Sequence, residues 1–142
     1  MQITETLAMP QPTFRVNKTD AQWRQILTPA QFQVLRQAAT EPPYSNILNN
    51  EHRRGIFKCG GCDWPLFASQ TKFDSHTGWP SFYQPINRQA VVTRTDRTLF
   101  MVRTEVLCAN CGGHLGHVFN DGPRPTGLRY CMNGIAMRFY PG

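Results

Sequence analysis

Between Thr19 and Ala39 the apolar positions recur three and four residues apart. Trp23, Ile26 and Leu27 fall on one helical face, and Phe32, Leu35 and Ala39 on another. Each run follows a threonine with a glutamine at the third helical position, Thr19 with Gln22 and Thr28 with Gln31, which is the pattern of a capping box. Pro29 takes the first position of the second helix, and Pro42-Pro43 stops any continuation. From Gly55 onward the pattern changes to β-branched and alternating runs. Gly55-Ile56-Phe57-Lys58, 90–94, 98–107, 117–119, 128–133 and 136–140 read as strands. Thr95-Asp96-Arg97 predicts a hairpin turn, and Asp121-Gly122-Pro123 a second turn. Residues 1–18 show no period and predict a loose arm ahead of a single domain, 19–142.

Composition adds bounds rather than detail. A chain of 142 residues, 40% apolar and 17% charged, has the makings of a globular core. Eleven prolines and eleven glycines suit short strands and many turns. The net charge is +6, but the basic residues are scattered, with Arg53-Arg54 the only adjacent pair, so the charge reads as a solvated surface rather than a nucleic-acid footprint. No segment has the length of a membrane span, and the N-terminal residues lack the pattern of a secretory signal. The expected setting is cytoplasmic, where thiols stay reduced and cysteine pairs serve metals or catalysis more than cross-links.

The cysteines change the picture most. Cys59-Gly-Gly-Cys62 and Cys108-Ala-Asn-Cys111 are two C-x-x-C pairs whose sulfurs can converge on one tetrahedral ion, with Gly60, Gly61, Gly112 and Gly113 to relax the turns. Two redox pairs or four unconnected core cysteines are the alternatives, but the βαβ setting of thioredoxin-like pairs is missing. Four thiolates leave zinc no open position, so the expected cofactor is one structural Zn2+. His114 and His117 are then surplus as ligands.

Cys131 is the remaining thiol. On a strand, Arg129, Cys131 and Asn133 share one face, and Leu128, Tyr130 and Met132 the other. A cysteine between a guanidinium and a carboxamide is not in an apolar core, and Arg129 is expected to favour its thiolate. His117, Phe119 and Asp121 share a face if extended, and His114 joins them only if Gly116 introduces a bulge. Trp79, between Gly78 and Pro80, sits in a turn where an indole face suits a thioether methyl or a cation.

At these residues the sequence resembles the methionine-R-sulfoxide reductases, the B-type enzymes, over nearly the whole chain from about Trp23 to Phe139. The matching motifs are Leu27-Thr28-Pro29, Val34-Leu35-Arg36, Thr40-Glu41, Lys72-Phe73-Asp74-Ser75, Gly78-Trp79-Pro80-Ser81-Phe82, Cys111 to Phe119 and Arg129 to Asn133. The resemblance implies a mainly β (α+β) fold of two antiparallel sheets forming an open barrel, with short N-terminal helices and the four-cysteine zinc site. It implies Cys131 as nucleophile and Trp79 as the wall that receives the substrate ε-methyl. It implies His114, His117 and Asn133 as the groups that bind and polarise the sulfoxide oxygen, with Phe119 lining the site and Asp121 and Arg129 ordering it. The implied partners are methionine-R-sulfoxide in oxidised proteins or peptides and thioredoxin or a similar thiol reductant, for a monomer that engages no nucleic acid or membrane. Two positions depart from the pattern. Thr77 stands where many relatives carry a resolving cysteine, and His76 where they usually have glycine. The competing class is a zinc-ribbon binding module, which needs neither Cys131 nor the ordered set of Trp79, His114 and His117.

Overall fold

The computed structural model of the chain describes residues 14–142, apart from the Leu99 side chain. Both helices begin as their sequence dictates. Helices α1 (Asp20–Ile26) and α2 (Pro29–Gln37) each start with a closed capping box, in which the threonine hydroxyl accepts the Gln22 or Gln31 backbone N–H and the glutamine side chain accepts the threonine N–H in return. Helix α2 ends before the prolines, because Ala38 turns left-handed at φ 57°. Trp23, Leu27, Phe32, Val34 and Leu35 are buried. Ile26, placed on the buried face by periodicity, is 55% exposed. Trp23 and Leu27, on either side of it in the helix pattern, are the residues that reach the core.

Among the described residues, nine strands form two antiparallel sheets. The smaller has the order β2-β1-β9, from β1 (Gly55–Cys59), β2 (Pro65–Ala68) and β9 (Met137–Pro141). The larger has the order β3-β4-β8-β7-β6-β5, from β3 (Lys72–Phe73), β4 (Ser81–Phe82), β5 (Val91–Asp96), β6 (Arg103–Cys108), β7 (His114–Phe119) and β8 (Arg129–Met132). The sheets meet through aromatic rings. Phe82 of the larger sheet stacks on Phe67 at 4.4 Å between centroids and meets Phe57 edge-on at 5.0 Å. All three rings are fully buried, and each contributes about 2–3 kcal/mol. Val106, Leu115 and Met132 extend the core toward α2 and α1.

Three local results differ from expectation. The β5–β6 turn is not Thr95-Asp96-Arg97. Strand β5 runs on through Asp96, which pairs with Arg103, and the chain reverses over 97–102. Contacts that Asp96 makes across the sheet, described below, override its local turn preference. Of the four glycines beside the cysteines, only Gly112 is left-handed, at φ 76°, with the Phe14 ring packed on its α-carbon side. Of the segment expected to be a loose arm, 1–13 lie outside the described residues. The remainder lies against the domain, with the Val16 N–H donating to Asn110 O at 3.0 Å and Arg15 over the Trp64 ring.

Candidate functional site

Cys131 sits on β8 between β4 and β7. Its Cα pairs with Ser81 on one side and His117 on the other. The close β7–β8 approach depends on Gly116, where a β-carbon would lie 2.1 Å from Cys131 O. The bulge needed to bring His114 in is present. Gly116 pairs with Val106 and His114 with Leu107, so Leu115 is the extra residue.

The polar face of β8 opens on a cavity of about 270 Å3 lined by Cys131, Arg129, Asn133, His117, Phe119 and Trp79, closed by Thr40, Thr77, Arg103 and Gly116. Each wall is held in place. The Trp79 Nε1–H donates to Glu41 O at 3.0 Å. Asn133 is buried and pinned at both ends of its amide, with Oδ1 accepting the Glu41 N–H at 2.9 Å and Nδ2 donating to Leu115 O at 3.0 Å. One amide N–H remains for a ligand. Arg129 grips Asp121 in a two-pronged pair at 2.8 and 3.0 Å and lies 4.4 Å over the Phe119 ring. Asp121 therefore acts on the cavity only through Arg129, and its carboxyl is held low by that hydrogen bond.

The histidines are buried and paired with carboxylates. The His117 Nε2 lies 2.8 Å from Asp96 Oδ2, and the His114 Nδ1 2.6 Å from Glu105 Oε2. His114 does not line the Cys131 cavity. It faces a second hollow of about 300 Å3 with Asp96, Glu105, Arg94 and Arg97, which shares His117, Arg103 and Thr40 with the first. Burial pushes His117 below its ordinary value, more than the Asp96 hydrogen bond raises it. The His117 hydrogen bond holds Asp96 down at about 2.

Arg129 favours the Cys131 thiolate as expected, but burial outweighs it. Burial pushes the Cys131 thiol above the ordinary value, and the Thr77 hydroxyl and the Arg129 charge only partly oppose this. Thr77 Oγ1 is 4.0 Å from Cys131 Sγ and continues into a hydroxyl chain through Ser75 to Ser81, at 2.8 and 2.7 Å. His76 adopts φ 60°, a left-handed backbone that costs a side-chain-bearing residue about 1 kcal/mol or more, and it projects into solvent.

The other four cysteines converge. Their sulfurs all lie within 4.8 Å of one another, with Cys59–Cys111 at 3.8 Å and Cys62–Cys108 at 3.5 Å. Four sulfurs about 2.3 Å from a tetrahedral ion stand roughly 3.8 Å apart, so the set fits one metal ion. Gly61 and Gly113 N–H groups point at the Cys59 and Cys111 sulfurs, and Arg36 lies 4.0 Å from Cys111 Sγ, a set of donors suited to thiolates. Contacts from its neighbours, Cys108 first, hold the Cys59 thiol well above its ordinary value, because four sulfurs this close cannot all ionise without a cation.

Sequence reading missed Asp96, Arg103, Thr40 and the structural carboxylate Glu41, whose oxygens accept the Gly134 and Ile135 N–H groups at 2.8 and 2.9 Å. It also passed over Glu105, which did carry a signal. Arg103 and Glu105 alternate on one face of an otherwise apolar strand, a sign of a buried polar partner.

Comparison with known proteins gives a consistent result. A family model described as the SelR domain matches residues 27–141. The chain is 55% identical over 127 residues to the peptide methionine sulfoxide reductase MsrB of Agrobacterium fabrum, covering 89% of this chain and 94% of that one. It is 55% identical over 124 residues to the protein of the same name from Thiobacillus denitrificans, covering 87% and 94%. The Leptospira interrogans protein of that name is 50% identical over 126 residues, covering 89% and 96%.

Proposed function

Because the chain belongs to the SelR-domain family of MsrB peptide methionine sulfoxide reductases, and is thus an oxidoreductase that reduces methionine sulfoxide, we propose that it acts on the R epimer in oxidised proteins, with Cys131 as nucleophile. The observation that carries this reading is that the one cysteine outside the four-sulfur cluster lines a cavity with an indole, a histidine and a carboxamide.

The roles follow from the surfaces. Trp79 and Phe119 form the apolar walls for the substrate ε-methyl. The free N–H of Asn133 holds the sulfoxide oxygen, His117 donates to it once it carries the thiol proton, and His114 behind them acts through water. Asp121 fixes Arg129, and Arg129 fixes Phe119. Cys131 rests as a thiol and His117, opposite it in the β7–β8 register, as a neutral imidazole. His117 takes the thiol proton as Sγ attacks the sulfoxide sulfur, then returns it to the oxygen. The sulfoxide S–O bond breaks, a Cys131 S–O bond forms, and two electrons pass from the cysteine sulfur to the methionine sulfur. Methionine leaves and Cys131 is a sulfenic acid. One external thiol displaces water from it, forming a mixed disulfide, and a second thiol releases free Cys131. Thioredoxin or a similar reductant in a reducing, cytoplasmic setting supplies these thiols, because Thr77 offers a hydroxyl where a resolving thiol would stand. The four-cysteine cluster holds one structural Zn2+, which takes no part in these steps.

The test is turnover of the two epimers in a peptide with thioredoxin as donor. Only the R epimer should be consumed. After one turnover without reductant, thiol counting should find Cys131 oxidised and no new intramolecular disulfide. Equal use of both epimers, or a Cys131 disulfide with a cluster cysteine, overturns the reading. The proton pair also predicts a pH profile. A plateau in kcat/KM requires one proton shared between Cys131 and His117. His117 is pushed below 6.5 and Cys131 above 9.0, so the plateau should extend beyond both values. A rise in rate continuing from pH 6 to 9, as for an isolated thiol, counts against it.

A further inference from the structure

The hairpin β5–β6 brings two carboxylates to the back of the catalytic histidines. Asp96 ends β5 and reaches His117 on β7, two strands away, while Glu105 on β6 reaches His114 beside it. Both carboxylates line the second hollow and neither lines the Cys131 cavity. Each is itself steadied by an arginine of the same hairpin, Asp96 by Arg103 at 3.3 Å and Glu105 by Arg94 at 2.7 Å.

A neutral imidazole has one N–H, and a carboxylate can only accept. An Asp96 carboxylate at Nε2 therefore fixes the N–H there and leaves Nδ1 bare. A Glu105 carboxylate at Nδ1 of His114 likewise leaves Nε2 as the acceptor nitrogen, and that atom is buried without a partner among the described residues. No other side-chain hydrogen bond among the described residues sets these tautomers. Resting on the reading of Cys131 and His117 given above, we propose that Asp96 and Glu105 are positioning residues that fix the tautomers and ring orientations of His117 and His114, so that His117 presents Nδ1 as the proton acceptor for Cys131 and then as the donor to the sulfoxide oxygen.

The carboxylates also persist as anions. Glu105 is raised by burial, but hydrogen bonds from His114 and Arg94 outweigh this and leave it low. Other charged or titratable groups around His117 are Arg103 and Glu105 on β6, His114 on its own strand, and Cys131 and Arg129 on β8. Arg103 opposes an imidazolium, so a transient positive charge on His117 relies on Asp96.

The experiment uses the metal-loaded enzyme labelled with 15N in its histidines. Ring nitrogen shifts of wild type should report His117 as the Nε2–H tautomer and His114 as the Nδ1–H tautomer. In Asp96→Asn, His117 should lose that single tautomer, and kcat should fall about 10²-fold with KM changed only a few-fold. The low-pH limb of kcat/KM should move to lower pH, and Asp96→Glu should restore part of the rate. Glu105→Gln should do the same to His114, with a smaller loss of kcat. A wild-type His117 in the Nδ1–H or a mixed form overturns the proposal, and so does an Asp96→Asn enzyme with unchanged tautomer and rate. The wild-type spectrum decides the matter even if the variants do not fold. If Cys131→Ser keeps its activity, the catalytic reading fails separately, while the tautomers still test the carboxylates.

Discussion

Cys131→Ser will remove turnover of methionine-R-sulfoxide, by roughly 10⁴-fold or more, while leaving the protein folded and its metal in place. The chemistry needs a sulfur that can give up two electrons and carry the transferred oxygen. A serine oxygen in the same position can do neither, and no other thiol is within reach of the cavity, since the remaining four point at one another. Folding should tolerate the change because the site is already polar. Thr77 lies 4.0 Å from the sulfur, and the backbone pairs of Cys131 with Ser81 and His117 do not involve the side chain. The cost in stability should stay within about 1 kcal/mol. Peptide chromatography for activity, metal analysis for the cluster and a thermal melt for the fold separate the three effects. Substantial reduction by the serine variant eliminates Cys131 as nucleophile.

Stripping the metal should have the opposite signature, with loss of the fold first and activity as a consequence. Cys59 ends β1 of the small sheet with Cys62 just beyond it, while Cys108 ends β6 of the large one with Cys111 just beyond it, so an ion held by the four would tie the two sheets together. Cys59, Cys108 and Cys111 are buried in the same core as Trp23 and Leu35. A four-thiolate site supplies on the order of 10 kcal/mol, similar to the whole stability of a domain this size. Chelation at neutral pH, or Cys108→Ser, should therefore abolish the cooperative thermal transition and expose Trp23 to solvent by fluorescence. Acid should act in the same direction, because thiolates must be protonated to release the ion. A metal-free protein that melts as the native one does shows that the cluster is not structural. The Cys131→Ser variant, with its four-cysteine cluster intact, is the control.

Much of the site could be read locally. The C-x-x-C spacings set the four-sulfur cluster apart and left Cys131 over. Strand alternation put Arg129, Cys131 and Asn133 on one face, and all three line the cavity. The two capping boxes fixed both helix starts, because each is a contact between residues three apart. Thr77 was noticed only as an absent thiol, and the structure adds that its hydroxyl lies 4.0 Å from the Cys131 sulfur at the end of a chain of hydroxyls.

What the chain alone determined, then, is everything carried by short-range spacing: helix starts, cysteine sorting and the face of β8. Family membership rests on the same ordered motifs. The tertiary structure decided what depends on partners far away in sequence. Asp96 looked like a turn residue because its local preference is for turns, yet its contact with His117 keeps it in a strand. Glu41, known from the sequence only as part of a matching motif, gains its buried role when the backbone of 134–135 closes on it. Arg129 beside Cys131 suggested a thiolate, but the desolvation that pushes the thiol up comes from the walls around the cavity and has no signature in the neighbouring residues. Periodicity assigned Ile26 to the core for the same reason: spacing gives the direction of a side chain on its helix, and only packing decides whether anything lies in that direction.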